Sequence, residues 1–175
     1  MPFRTMKTIK EIDKGDVLTF KGSDYRFKAI LCTSTYKVKS PYNFTFAALT
    51  FDSTEKPKIE NILESEFYGI GNIKDDYFQY SETEREKIWG THPEIKPYSL
   101  GCYGLVIWRK DFMKFRDNIE LVGNVNIVDN LDKNGRGGVN ASDWNFLTDL
   151  FTNKYKTVLE ERGQKRFKVQ AIVRD

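Results

Sequence analysis

The sequence predicts an α+β domain in which a strongly bent antiparallel sheet, or a partly open β-barrel, packs against a C-terminal helix. Three observations carry that reading. Short β-prone runs recur from residue 16 to residue 128, a helical repeat of apolar residues follows Ser142, and the 175 residues are 39% hydrophobic and 30% charged. That composition is typical of one soluble domain, here spanning 1–175. The balance of 28 basic against 25 acidic residues excludes a histone-like polybasic binder and a disordered acidic chain. No apolar run approaches the roughly 18 residues of a membrane span, and the start of the chain lacks an apolar signal stretch, so a cytoplasmic protein without a membrane partner is expected.

Asp16 to Phe20 and Tyr25 to Leu31 read as two strands joined by Lys21-Gly22-Ser23-Asp24, a sequence with the composition of a tight hairpin. Phe44 to Phe51, rich in aromatic residues and Thr, forms a third strand whose mixed pattern implies burial on both faces. Ser81 followed three residues later by Glu84 makes a capping box for a short helix over 82–89. Tyr103 to Trp108 is the most strand-like hexamer and leads into a short helix near 110–115. Ile119 to Val122, Val125 to Val128 and Phe167 to Val173 complete the strands. Leu147, Leu150, Phe151 and Val158 recur at three- and four-residue steps and end before Gly163, which places one amphipathic helix on the sheet.

Cys32 and Cys102 lie 70 positions apart, a spacing that fits neither a zinc knuckle nor a dense disulfide framework. A single histidine, His92, removes every mechanism that needs two imidazoles. A nucleophilic Cys102 with His92 as its base is the enzymatic alternative that the residues leave open. The stretch from Asp132 to Asp143 follows much of a twelve-residue calcium loop, but Arg136 stands at the fifth position, where an oxygen ligand belongs. The favoured reading is a tight turn followed by a helix cap at Asn140, Ser142 or Asp143. No metal site and no cofactor are expected. A nucleic-acid-binding domain is a second alternative, through Arg162, Lys165, Arg166, Lys168 and Arg174 with Phe167 as a stacking group, although a strand with basic residues on its solvent side is the commoner meaning of such a run.

Charge is unevenly spread. Residues 41–100 carry six Lys/Arg against eleven Asp/Glu, whereas 1–40 carry nine against four. Within the acidic middle, the stretch from Asp75 to Trp89 combines five carboxylates with Tyr77, Phe78, Tyr80 and Trp89. Rigid aromatic area surrounded by steering charge suits recognition of a basic protein. Asp75, Asp76, Tyr77, Tyr80, Glu82 and Glu84 are therefore the candidate partner-binding residues.

The opening pair of runs, 12–20 with its Gly15-Asp16-Val17 and 24–31 with Tyr25 and Phe27, resembles the start of bacterial polymorphic-toxin immunity proteins of all-β type. Ala47 to Asp52 and Ile119 to Gly123 sit where that family has later strands, and the resemblance covers about 1–125. It implies a non-catalytic protein that neutralises a cognate toxin by binding it directly, with a basic toxin as the partner suited to the acidic middle. Neither the identity of that partner nor the oligomeric state follows from the residues.

Overall fold

The computed structural model describes residues 11–35, 43–74, 80–102, 104–129, 131–132 and 139–174. Nine strands occur among them: β1 (Asp16–Lys21), β2 (Phe27–Ser34), β3 (Asn43–Ser53), β4 (Glu66–Ile73), β5 (Ser99–Gly101), β6 (Leu105–Trp108), β7 (Glu120–Asn124), β8 (Val139–Asn140) and β9 (Lys165–Lys168). They form one branched sheet whose main path runs β5-β4-β3-β2-β1-β7. Every pairing is antiparallel except the short β6/β8 pair. Two register irregularities between β2 and β3 mark bulges, which bend a strand and increase its twist. Along its other edge β3 changes partner, pairing with β6 at 43–46 and with Phe67 of β4 at Leu49. The path ends at β5 and β7, so the bent sheet is not closed into a barrel.

Both faces of this sheet are buried, because the strand period of two sends successive side chains into different cores. Leu18, Phe20, Ile30, Cys32, Phe44, Phe46 and Ala48 enter one core. Val17, Ala29, Leu31, Ala47 and Leu49 enter the other. Helices α1 (Ile59–Leu63), α2 (Glu82–Thr91), α3 (Arg109–Phe115), α4 (Trp144–Asp149) and α5 (Tyr155–Glu161) close the two sides. On the first side, Phe112 and Phe115 of α3 join Leu147 of α4 and Leu159 of α5. Between α4 and α5 the helix widens into a π turn over Leu150–Lys154, which keeps Leu150 and Phe151 in the core. On the second side, Ile62 of α1 and Ile88 of α2 pack with Phe167, Val169 and Ile172. The expected C-terminal helix covers one side, and α1 and α2 complete the two-sided burial of β1 to β3 on the other.

The hairpin, the third strand, the capped helix at Glu82 and the C-terminal helix fall where the sequence places them. Other segments depart from it. Val125 to Val128 is no strand and contributes only a bridge from Ile127 to Val173. The run at 167–173 leaves the sheet after Lys168 and turns into a 3-10 segment, Val169–Ile172. β4, which carries Gly69 and Gly71, is not among the strands that the sequence predicts. A Cβ on Gly69 would stand 2.7 Å from the Gly101 carbonyl oxygen, and one on Gly71 would stand 2.6 Å from Ile95 Cγ2. Glycine is therefore what lets neighbouring backbone and side chains approach β4. No helix among the described residues is long and apolar enough to cross a membrane.

The junction of sheet and C-terminal helix rests on Phe20, which is 1% exposed and meets Trp144 and Phe151 edge to face, with ring centroids 5.7 and 5.2 Å away. Phe20→Ala is expected to lower the unfolding free energy by about 4 kcal/mol, as read from the midpoint shift of a urea denaturation curve.

Candidate partner-binding site at the hairpin tip

The turn between β1 and β2 is closed by two backbone bonds. Tyr25 N–H donates to the Gly22 carbonyl at 3.0 Å, and Gly22 N–H donates to the Arg26 carbonyl at 2.9 Å. In a loop of this kind the residue following the turn adopts the left-handed conformation, a position that glycine ordinarily fills. Here Tyr25 fills it, at φ 63°, and its side chain is 81% exposed. A bulky residue in that region carries about 1 kcal/mol of steric strain, and no core contact repays it. The sequence placed Tyr25 inside the return strand, which in fact begins at Phe27.

Contacts from three directions hold the tip. Ser23 N–H donates to Thr152 Oγ1 at 2.9 Å, and Thr152 lies in the π turn of the C-terminal helix. Such widened turns recur at functional sites because they re-aim side chains out of helical register. Asp24 Oδ1 accepts from Arg26 N–H at 3.1 Å. Beneath the turn the buried Lys28 ammonium sits 3.0 Å from Asp24 Oδ2 and 3.1 Å from Asp52 Oδ1, and Arg26 Nε reaches the same Asp52 oxygen at 2.6 Å. Burial would raise both carboxyls. Hydrogen bonds outweigh it and hold both below the ordinary carboxylate range, from Lys28 and the Arg26 backbone at Asp24 and from Arg26 and Lys28 at Asp52.

A cleft of about 620 Å³ opens beside the tip. Tyr25, Phe27 and Trp144 supply aromatic surface, while Lys21, Lys56, Asp117 and Glu120 supply charge. Lys56 and Glu120 form an ion pair at 2.8 Å, and Lys21 Nζ lies 5.4 Å from the centroid of the Phe27 ring. A strained exposed tyrosine, a π turn and an aromatic cleft thus meet at one end of the molecule.

The residues singled out from the acidic middle separate. Asp75, Asp76 and Tyr77 lie outside the described residues. Tyr80 is 3% exposed and donates its hydroxyl to the Leu100 carbonyl at 2.6 Å, so it belongs to the core beneath α2 and cannot present an open face. Glu84 completes the expected capping box with Ser81, each backbone N–H donating to the other side chain at 3.1 Å. It also pairs with Arg174 at 3.4 Å. Glu82 remains exposed on the first turn of α2.

Cys102 and His92 do not form a dyad. The Cys102 thiol donates to the Tyr68 carbonyl at 3.4 Å, and burial pushes both Cys32 and Cys102 thiols far above their ordinary range, which disfavours the nucleophilic thiolate. His92 places Nδ1 2.9 Å from Glu94 Oε1 and accepts at Nε2 from Lys168 N–H at 3.0 Å. Its ring also packs edge to face on Phe167. Phe167 itself is 3% exposed, so β9 offers cations without the stacking group expected there. At the calcium-like loop, 133–138 lie outside the described residues. Asp132 accepts from Thr33 Oγ1 at 3.3 Å, and Asp143 caps α4 by accepting from Phe146 N–H at 3.1 Å. Among the described residues no group of three His, Cys, Asp or Glu side chains is placed to hold a metal ion.

Comparison with known protein families, characterised proteins and solved structures finds no match to this chain.

Two measurements check this geometry. Asp24 and Asp52 have lowered carboxyl pKa values in the fold, so their contribution to stability is present above the unfolded-state values near 4 and is lost as pH falls through the folded ones. Lys28→Met is expected to lower stability by about 2 kcal/mol at pH 7 and by clearly less at pH 3, in chemical denaturation at the two pH values. Neither thiol should react with an aromatic disulfide reagent until denaturant is added; rapid modification of Cys102 in the folded protein would contradict its burial.

Proposed function

We propose that this chain is a non-catalytic protein-binding module that presents the β1/β2 tip to its partner, with Tyr25 as the anchor. The observation that carries the reading is Tyr25 itself, held left-handed at φ 63° and 81% exposed where glycine would be more stable. A residue retained against local stability is explained by a role outside the fold. Tyrosine offers large rigid contact area with few rotatable bonds, and the bonds to Thr152 and the Lys28 ion pairs fix it before any encounter, reducing the ordering cost of binding.

The resemblance of the opening strands to immunity proteins supports the more specific reading, neutralisation of a bacterial toxin by direct binding in the cytoplasm. A projecting, preorganised tip suits insertion into a concave surface such as the cleft of a toxin. Asp24 and Asp52 at the tip are taken up by Lys28 and Arg26, so exposed Glu82 and Glu86 of α2 are the carboxylates that would steer a basic toxin towards the surface. The structural engagements of Cys102 and His92 weigh against the enzymatic alternative.

The test separates fold from function through one substitution. Tyr25→Gly relieves the left-handed strain and is expected to raise stability by about 0.5–1 kcal/mol, a rise in Tm of about 1–4 °C. The same variant should bind the partner about thirtyfold more weakly, the effect of removing an interface anchor. The partner is identified by affinity capture with tagged protein at low and high salt, and its affinity is then measured by titration calorimetry. Restored growth of cells that express the captured protein, on co-expression of this chain, would establish neutralisation. A captured partner that binds Tyr25→Gly as tightly as the wild type would remove the tip from the interface, and the absence of any stoichiometric partner would end the binding-module reading.

A further inference from the structure

Helix α3 carries a ridge of exposed cations. Its inner side is built from Asp111, Phe112 and Phe115, all buried. Its outer side presents Arg109, Lys110 and Lys114 to solvent, together with Trp108 and Met113, which are 41% and 42% exposed. Arg116 follows, with one guanidinium nitrogen 3.7 Å from Met113 Sδ. The one carboxylate within 108–116 is Asp111, which is 3% exposed beneath the ridge and lies 3.8 Å from Lys114, whose side chain stays 72% exposed.

Several cations elsewhere are matched closely. Arg174 stands between Asp129 at 2.8 Å and Glu84 at 3.4 Å, Asp129 also takes Lys14, and Lys28 holds Asp24 and Asp52. Within 108–116 four cations share one stretch of chain with an exposed indole and a thioether. Cations beside an exposed aromatic plane form the elementary unit of single-strand recognition, since the charges meet phosphates and the ring stacks on a base of any sequence.

We propose that the α3 ridge binds single-stranded nucleic acid, with Trp108 as the stacking platform and Arg109, Lys110, Lys114 and Arg116 as phosphate contacts. The proposal stands apart from the tip-centred protein binding. An anionic membrane is the poorer occupant, because Phe112 and Phe115 face the protein core and only Trp108 and Met113 remain for lipid, whereas an interfacial helix buries a whole apolar face. An acidic protein segment would match the charge but gives the exposed indole no defined role.

The test is fluorescence anisotropy with a labelled twelve-nucleotide oligothymidylate, using the full chain and variants whose folding is confirmed by circular dichroism. The wild type is expected to bind with a slope of log K against log salt of roughly −2 to −3, the release expected for three or four phosphates at about 0.7 each. Lys110→Glu with Lys114→Glu should weaken binding at least tenfold and flatten that slope, because two phosphate contacts are reversed. Trp108→Ala should weaken it about tenfold, the loss of one stacked base, with little change in the slope. Lys165→Glu with Arg166→Glu on β9 makes the same change in net charge without an exposed aromatic neighbour and should shift affinity less than threefold. Three results would overturn the proposal. These are no binding at 50 mM salt, an equal loss from the β9 pair, and tighter binding of polyglutamate or of vesicles containing phosphatidylserine than of the oligonucleotide.

Discussion

Two-sided burial of β1, β2 and β3 is the constraint on which the rest of the structure depends. A strand with both faces covered has no solvent face to accept polar residues, so consecutive positions must suit two different cores. In β3, Phe46 and Ala48 serve one core and Ala47 and Leu49 the other. Small residues alternate there with large ones, which brings helices and neighbouring strands close on each side. A one-residue slip in register would exchange the two sets and leave a mismatch in both cores. The bulges in the β2/β3 pairing therefore have a defined place, bending β3 so that it reaches β6 at one end and β4 at the other without losing the alternation.

The hairpin tip inherits its rigidity from that constraint. Because β1 and β2 are locked from both sides, their turn is delivered to a fixed point over the C-terminal helix, where Thr152 meets Ser23. Gly22 lies so close to this junction that a Cβ there would stand 2.7 Å from Thr152 Oγ1. Lys28 is an unusual member of a buried strand, 2% exposed, and its position follows from the tip: its ammonium emerges beneath the turn and ties Asp24 to Asp52. The strain at Tyr25 persists because these contacts over-determine the turn, which is the general condition for an unfavourable conformation to survive in a folded protein.

Elements governed by local chemistry were legible in the sequence. The Ser81/Glu84 capping box, the hairpin and the apolar repeat of the C-terminal helix each appear as patterns within a few residues, and each forms. What escaped depends on distant partners. β4 is one case, since the closeness of Gly101, Ile95 and Phe167 to Gly69 and Gly71 is not visible in the local sequence. The aromatic ring of Tyr80 gave no indication of facing inward, since its hydroxyl finds Leu100, 20 positions away. Tyr25 was misplaced for a different reason: tyrosine favours strands, and nothing local announces a tyrosine where the turn calls for glycine. Of the six nominated partner-binding residues, Glu82 alone combines a described position with an open surface.

The distribution of ion pairs gives the surface a second order that composition conceals. A net charge of +3 suggests an almost neutral exterior, yet neutrality is reached by different means in different places. Around the tip and along the Asp129–Arg174–Glu84 chain, opposite charges lie within 3.4 Å of one another, and their fields cancel within a short distance of the surface. Along 109–116 four cations accompany one carboxylate, the buried Asp111, so their field reaches further, out to the Debye length of about 8 Å at physiological salt. Two kinds of surface follow from the same near-zero total. A paired, rigid region discriminates by shape, with a fixed aromatic anchor and little dependence on salt. An unpaired ridge attracts by charge, and its affinity falls as salt rises. The tip's carboxylates, already neutralised by Lys28 and Arg26, would leave the field of such a ridge undisturbed.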